Sequence, residues 1–459
     1  MPISRLAKGL FALLLLTTCR PHRLSQVAFD QKTALAQEQA GWAALPKLLA
    51  RIRPPKFPDR DFPIASYGAV GNGQADNRAA FAQAIAACHA AGGGRVVVPP
   101  GDYLVNGPIG LRSRVNLHLQ KGATVRFGTD PAHYLPVVKV RWEGTVCYNY
   151  SPLVYAYQQQ DIAITGQGTL DGQTEGTWSR WKKDNDGQNQ EVTKKIIRQM
   201  GQDGVPEAQR VFGQGHYLRP TLVEFYECQN ILLEGFTAKS SPFWTIHPVF
   251  CRNLTVRGLT IRPGTTNDDG IDPDSCTDVL IEHCDIETDD DPISLKAGRD
   301  QDAWNRPGTR GVVVRHCKLS SKVGNAFCIG SEMSGGVEQV YIEDCHSPTA
   351  PNGLNFKCNL DRGGRIRQVY ARNLTFGHCQ NHGLLFQMDY HGYRGGNFPP
   401  DFQEFYLANL RFGQVGKVGV KIVGVAAQPI RRVLLRQVTV AQVPQPTEVK
   451  YANQVVTVE

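Results

Sequence analysis

Two acidic segments carry the residue types and spacing best suited to chemistry. Asn267-Asp268-Asp269-Gly270-Ile271-Asp272-Pro273-Asp274-Ser275 puts four carboxylates in seven residues, and Thr288-Asp289-Asp290-Asp291-Pro292 adds three more. Carboxylates crowded together cannot all ionise cheaply, so at least one holds a proton near neutral pH while others stay charged. Such an acid and base are what inverting glycoside hydrolysis requires, set ~6.5 to 9.5 Å apart so that a water fits opposite the leaving group. Two plainer readings compete. Asp-rich turns accept backbone N–H bonds, and Asp268, Asp269, Asp289 and Asp291 could ligate calcium, although the sequence has no EF-hand-like loop.

The elements that must position these residues are short and repeated. Alternating apolar phrases, often introduced by Asn or Asp, occur at Asp161-Ile162-Ala163-Ile164, Asn230-Ile231-Leu232-Leu233, Asn253-Leu254-Thr255-Val256, Asp278-Val279-Leu280-Ile281, Gly311-Val312-Val313-Val314, Gln339-Val340-Tyr341-Ile342 and Gln368-Val369-Tyr370-Ala371. Counted from Ile231, successive starts are 23, 25, 33, 28 and 29 residues apart, the signature of a solenoid with loops of variable length. A second short apolar segment follows each phrase, as in Ile293-Ser294-Leu295-Lys296 and Phe327-Cys328-Ile329-Gly330. Helical repeats would need long amphipathic stretches, which are absent after residue 220. The fold class is therefore all-β, a right-handed single-stranded parallel β-helix. Asp269 and Asp290, 21 residues apart, each precede the second segment of a coil. With coils ~4.8 Å apart they should share one groove.

Residues 1–19 read as a secretory signal peptide: Arg5 and Lys8, an apolar run from Leu10 to Leu16, then Leu16-Thr17-Thr18-Cys19, where Cys19 stands as in a bacterial lipobox. Export is expected, to the periplasm, the exterior or a lipid anchor at the envelope. Residues 20–60 form a leader and cap with a helix around Thr33 to Arg51, and a second helix from Asn77 to Ala91 could cover the open end of the stack. The catalytic domain spans 61–459, with a polar, Trp-containing insertion near 173–220 whose Trp178 and Trp181 are candidates for stacking on sugar rings. Cys284, Cys317 and Cys345 close three similar phrases and should stack as small buried residues, a better account than a metal site. A net charge of +8 permits a polyanionic substrate, but the basic residues are scattered without interleaved aromatics, so nucleic acid is not expected. No protein partner is implied, and a capped β-helix is expected to be a monomer.

The chain resembles glycoside hydrolase family 28, the polygalacturonase family. The resemblance rests on Asn267 and Asp269 before Gly270-Ile271-Asp272-Pro273, Asp290-Asp291 followed by Ile293 and Lys296, and Ile329-Gly330-Ser331-Glu332-Met333-Ser334-Gly335-Gly336-Val337. Tyr67-Gly68-Ala69-Val70-Gly71, Gly168-Thr169-Leu170-Asp171-Gly172 and Ser241-Pro242-Phe243-Trp244-Thr245-Ile246-His247-Pro248 support it in the same order. The resemblance implies a pectin lyase-like β-helix and an inverting hydrolase of pectic polysaccharide with no metal or cofactor. Asp290 matches the proton donor, and Asp269 with Asp291 match the pair that activates water. Lys357 is implied to contact a substrate carboxylate and Tyr390 to line the same subsite, with Asn267 beside them. Asn325, Trp244 and His247 are further groove candidates, against the readings of a turn Asn, a packed aromatic and a satisfied histidine. Two departures stand out. The family's Gly-His-Gly reads Gly324-Asn325-Ala326 here, and its Arg-Ile-Lys reads Asn355-Phe356-Lys357. Loss of that His and Arg removes cations from the leaving-group side, as in the similar rhamnogalacturonan hydrolases, so the leaving sugar is expected to be other than galacturonate. A calcium-dependent pectate lyase and a non-catalytic polysaccharide-binding β-helix are the alternatives of other classes.

Overall fold

A computed structural model describes residues 29–183 and 187–459. The segment 1–19 expected to be a signal peptide, with Cys19, lies outside the described residues. The chain winds as a parallel β-helix with three ladders of strands. The first ladder runs through Gly94–Val98, Val115–Leu119, Gln160–Gly166, Gln229–Glu234, Arg252–Arg257, Thr277–Glu282, Thr309–Arg315 and Val337–Glu343 and continues to Ala452–Val458. The second includes Thr169–Asp171, Thr237–Lys239, Thr260–Ile261, Asp285–Thr288 and Lys318–Ser321. The third passes through Val154–Tyr157, Val223–Tyr226 and Ile246–Val249. It then reaches the single bridges Ile246 to Ile271 and Ile271 to Ile293, and goes on to Ser294–Leu295 and Asn325–Ile329.

The repeated Asn or Asp at the head of each phrase has a backbone cause. Asp161, Asn230, Asn253 and Asp278 hold φ of 55°, 56°, 57° and 58°, a left-handed bend that Asn and Asp tolerate better than other non-glycine residues. Their side chains also bond from coil to coil: Asn230 Nδ2 donates to Asp161 Oδ1 at 2.9 Å and Asn253 Nδ2 to Asn230 Oδ1 at 2.8 Å. After each bend the apolar residues enter the coil, where Ile231, Leu254, Val279, Val312 and Val340 stack in one buried core.

Cys284, Cys317 and Cys345 occupy successive coils as buried free thiols, and Cys317 N–H points at Cys345 Sγ at 3.5 Å. Cys228, Cys251 and Cys276, at another corner, are likewise buried beside strand-end carbonyls. Each stands two residues before the Asn or Asp that heads a phrase, in Cys228-Gln229-Asn230, Cys251-Arg252-Asn253 and Cys276-Thr277-Asp278.

The N-terminal helix is placed differently from the sequence expectation. Helix α1 (Gln31–Arg51) does not cap the stack. It lies along the outer face of the first ladder, packing Ala34, Leu45 and Leu48 on Leu280, Val313, Tyr341, Tyr370 and Tyr406. Those outward-facing residues are apolar and offer a flank that a helix can cover, and Arg51 with Asp278 and Glu38 with Arg436 pin the two ends. The capping role falls to helix α2 (Arg78–Ala90), whose Phe81, Ala84, Ile85 and Cys88 close the core at the first coils.

The insertion near 173–220 is largely helical, with α3 (Thr177–Lys183) and α4 (Gln190–Gln202). Trp178 is 0% and Trp181 5% exposed, packed edge-on against each other and against Tyr134 and Tyr217. They fasten the insertion and have no face left for a sugar, which corrects the stacking expectation. An antiparallel hairpin, Val138–Trp142 with Thr145–Asn149, covers the third ladder beside α4.

Candidate active site

Coil pairing sets three carboxylates side by side. Gly270 N–H donates to the Asp291 carbonyl at 2.9 Å, so the turn carrying Asp269 lies directly against the turn carrying Asp290 and Asp291. Oxygens of Asp269, Asp290 and Asp291 all lie within 4.8 Å of one another. This is tighter than the ~6.5 to 9.5 Å expected of an inverting pair, because two of the three are chain neighbours and the third sits one strand spacing away. Asp268 is turned elsewhere: its carboxylate accepts from Gly264, Asp289 and Asp290 N–H groups at 2.7, 3.2 and 3.0 Å. It is the bracket of the turn, as the structural reading of Asp-rich turns anticipated.

The three carboxylates differ in charge because their surroundings differ. Asp291 is 1% exposed, yet the burial that would raise its pKa is outweighed by the Lys357 ammonium at 2.9 Å and by Asn325, whose backbone N–H and Nδ2 donate at 2.7 and 2.6 Å. Asp291 is thus held below the ordinary carboxylate range. Asp290 has no such cation in contact; burial and the adjacent Asp291 charge push it up to about 6. Burial also pushes Asp269 well up, against Lys296 at 3.2 Å, with Asp290 and Asp291 adding to the rise. The cluster titrates as a unit in which Asp291 carries the charge while Asp269 and Asp290 are held above the ordinary carboxylate range.

These groups line a cavity of about 240 Å³ with Asn267, Trp244, Lys296, Lys357 and Tyr390. Asn267 Nδ2 lies 3.3 Å from Asp290 Oδ2. Lys357 sits 5.2 Å over the Tyr390 ring and Lys296 4.5 Å over the Trp244 ring. Asn325 does not reach the cavity; it is an orienting residue behind Asp291, itself held by Asn352 and Asn355 Nδ2 at 2.8 and 2.9 Å. His247 is not a wall residue either. It is 0% exposed between Glu224 at 3.3 Å and Asp274 at 3.5 Å; burial opposes its charge, but the two acids outweigh that and hold the ring at about 9. The satisfied-histidine reading is the right one.

The three aspartates could by distance share a cation, but Lys296 and Lys357 already neutralise two of them from inside the fold, which disfavours a divalent ion there. Sequence reasoning gave no role to Lys296, although it stood within a quoted motif. It also missed Glu143, Lys194, Arg198, Arg299, Glu332 and Arg362, which line the same cavity.

The profile described as glycosyl hydrolases family 28 matches residues 88–457. A solved structure described as a hyperthermoactive exopolygalacturonase from Thermotoga maritima is 34% identical, with a TM-score of 0.85 over 91% of this chain and 96% of that one. A probable polygalacturonase of Vitis vinifera is 31% identical over 325 residues, 68% of this chain and 60% of the relative. A polygalacturonase from Erwinia carotovora ssp. carotovora, at 22% identity and a TM-score of 0.67, covers 88% of this chain and 98% of its own and shares the fold. The chain spans 60% and 61% of the lengths of the Vitis vinifera relative and of a probable polygalacturonase from Arabidopsis thaliana.

Proposed function

The chain belongs to the glycosyl hydrolases of family 28, and from that premise we propose that it hydrolyses galacturonosyl linkages of a pectic polysaccharide, acting from a chain end. The observation that carries the reading is that Asp290 and Asp291 line one cavity while Lys357 and Asn325 bind only Asp291, an arrangement that lowers one carboxyl and pushes the other up to about 6. Asp290, held near 6, donates its proton to the leaving oxygen. Asp291, kept ionised by Lys357, takes a proton from the attacking water, and Asp269 completes the hold on that water. A water ~2.6 to 3.2 Å beyond its carboxylate partners extends their reach, so a tight carboxylate cluster remains compatible with inversion. Lys357 contacts a substrate carboxylate, and Tyr390, 5.2 Å from its ammonium, lines the same subsite. The spacing within 4.8 Å favours a second reading, retention through a glycosyl-aspartate. Proton NMR of the first-formed sugar separates the two: inversion yields the β-anomer from an α-linked galacturonan, and an initial α-anomer refutes it.

The substrate test is product analysis on polygalacturonan and on de-esterified rhamnogalacturonan, each with a chelator present. Galacturonate from polygalacturonan supports the reading. Release from rhamnogalacturonan alone supports instead a neutral leaving sugar, which the mutual hydrogen bond of Asn325 and Asn355 favours where cations would pair a carboxylate. Residues 1–19 support export, and incorporation of labelled palmitate lost on Cys19→Ser tests the lipid anchor. Among the described residues no helix is long and apolar enough to cross a membrane.

A further inference from the structure

We propose that Arg198, Arg299 and Arg362 form a carboxylate subsite for the galacturonate at the non-reducing chain end, with helix α4 of the insertion supplying one wall. The inference rests on the proposed function and names what selects its substrate.

All three arginines line the same cavity as the catalytic aspartates. They share two cavity-lining acids. Arg198 pairs with Glu143, Arg299 with Glu332 at 2.9 Å and Glu143 at 3.8 Å, and Arg362 with Glu332 at 3.5 Å. A third acid, Asp300, lies 3.3 Å from Arg362 but is also bound by Arg394 at 2.5 Å. Glu332 is further drawn on by Lys296 at 3.5 Å, the same ammonium that touches Asp269. The Nε atoms of Arg198, Arg299 and Arg362 are buried and have no hydrogen-bond acceptor. Burial, with Arg362 and Arg198 crowding it, pulls Arg299 down to about 9 against the pull of Glu332 and of Asp300, 3.7 Å from its Nε, so the guanidinium remains charged at neutral pH.

Among the described residues the cavity wall carries seven lysines and arginines against five carboxylates; that surplus of positive charge is a receptor for one more carboxylate, and guanidinium binds carboxylate with charge-assisted, often paired bonds. At about 240 Å³ the cavity is smaller than the roughly 300 to 1,000 Å³ of sites for drug-sized ligands, which suits a single sugar ring rather than a run of them. That sugar shares the cavity with Asp269, Asp290 and Asp291, so it is the one whose anomeric carbon is attacked, and the rest of the chain departs from its C1. The arginines thereby offer a carboxylate, on the attacked side of the bond, the charged pairing that the neutral Asn325 and Asn355 cannot give on the leaving side.

The experiment compares trigalacturonate with the same trisaccharide bearing galactose at its non-reducing end, for the native enzyme and Arg198→Gln, with thermal unfolding to check the variant. The native enzyme should favour the acid by roughly 10- to 100-fold in kcat/KM, and Arg198→Gln should bring that ratio towards one. Equal native rates on the two substrates, or an unchanged ratio in a folded Arg198→Gln, overturn the subsite. Calorimetric titration with free galacturonate and galactose reads the site without turnover: galacturonate alone should bind, and equal binding overturns the inference. No release from trigalacturonate, with selective galacturonate binding, would sink the proposed hydrolysis and leave the subsite standing.

Discussion

Replacing Asp290 by Asn removes the proton that the mechanism donates while keeping the side chain's shape. With a pKa of about 6, Asp290 is about nine-tenths protonated at pH 5 and about one-tenth at pH 7, so kcat/KM on galacturonan should fall about tenfold per pH unit above 6. Asp290→Asn should cost ~10² to 10⁴ in kcat/KM and abolish that alkaline limb. The loss should shrink on a 4-nitrophenyl galacturonide, whose leaving group needs little protonation. Stability moves the other way. A carboxyl whose pKa is raised on folding contributes stability below its unfolded value near 4, and that contribution is lost as pH rises through 6, by up to about 3 kcal/mol. Asp290→Asn should therefore unfold at a higher temperature than the native protein at pH 7 to 8 and at a similar one at pH 4. A variant that retains more than a tenth of the activity, or keeps an alkaline limb near 6, refutes the assignment of Asp290 as the acid.

Lys357→Met strips Asp291 of its 2.9 Å partner; breaking a buried pair costs ~3 to 5 kcal/mol, and Asp291 should escape by taking a proton. Since Asp291 must be ionised to act, the acidic limb of the pH-rate profile should move to higher pH with a large drop in kcat, and an unmoved limb sinks the role given to the lysine. Trp178→Ala should lower stability by ~3 to 5 kcal/mol, read by denaturant unfolding. KM for short oligogalacturonides should stay within about twofold, because the ring is fully buried; a large KM rise in a stable protein would restore the sugar-stacking role.

The β-helix and the Asp269, Asp290, Asp291 cluster were legible because both are written in spacing: one residue slip per coil would move each aspartate to another face. What stayed hidden is where outer surfaces are covered. Ile246–Val249 is buried at every position, since the hairpin Val138–Asn149 lies on its outside, so alternation gave no sign of which way His247 points. The hairpin itself turns on Glu143 and Gly144, both at positive φ, a weaker signal than Asn-Gly. Helix α4 buries Gln190, Thr193, Ile197 and Gly201, but the cavity wall that its arginine joins is assembled from segments far apart in the chain, so that arginine's place could not be foreseen. The N-terminal helix was legible as a helix but not as a flank, because its partners are outward residues of strands whose inward neighbours dominate the pattern.

Asp290 and Asp291 are adjacent in the chain and carry opposite protonation, so the asymmetry must come from the coils above and below. Asp291 faces later coils: Asn325 gives it two donors and Lys357 a full charge. Asp290 faces Asn267 of an earlier coil, which offers one long amide contact at 3.3 Å and no charge. A β-helix places whatever residue a later coil carries at a fixed position against an earlier one, so acid and base are chosen by residues tens of positions away rather than by local sequence. The same logic explains how the usual leaving-side cations can be absent without emptying the cavity of positive charge. Asn325 and Asn355 have become part of the scaffold that holds the base, and Arg198, Arg299 and Arg362 gather from an insertion and two loops at the opposite wall. The proposed arginine subsite sets a carboxylate preference on the attacked side of the scissile bond.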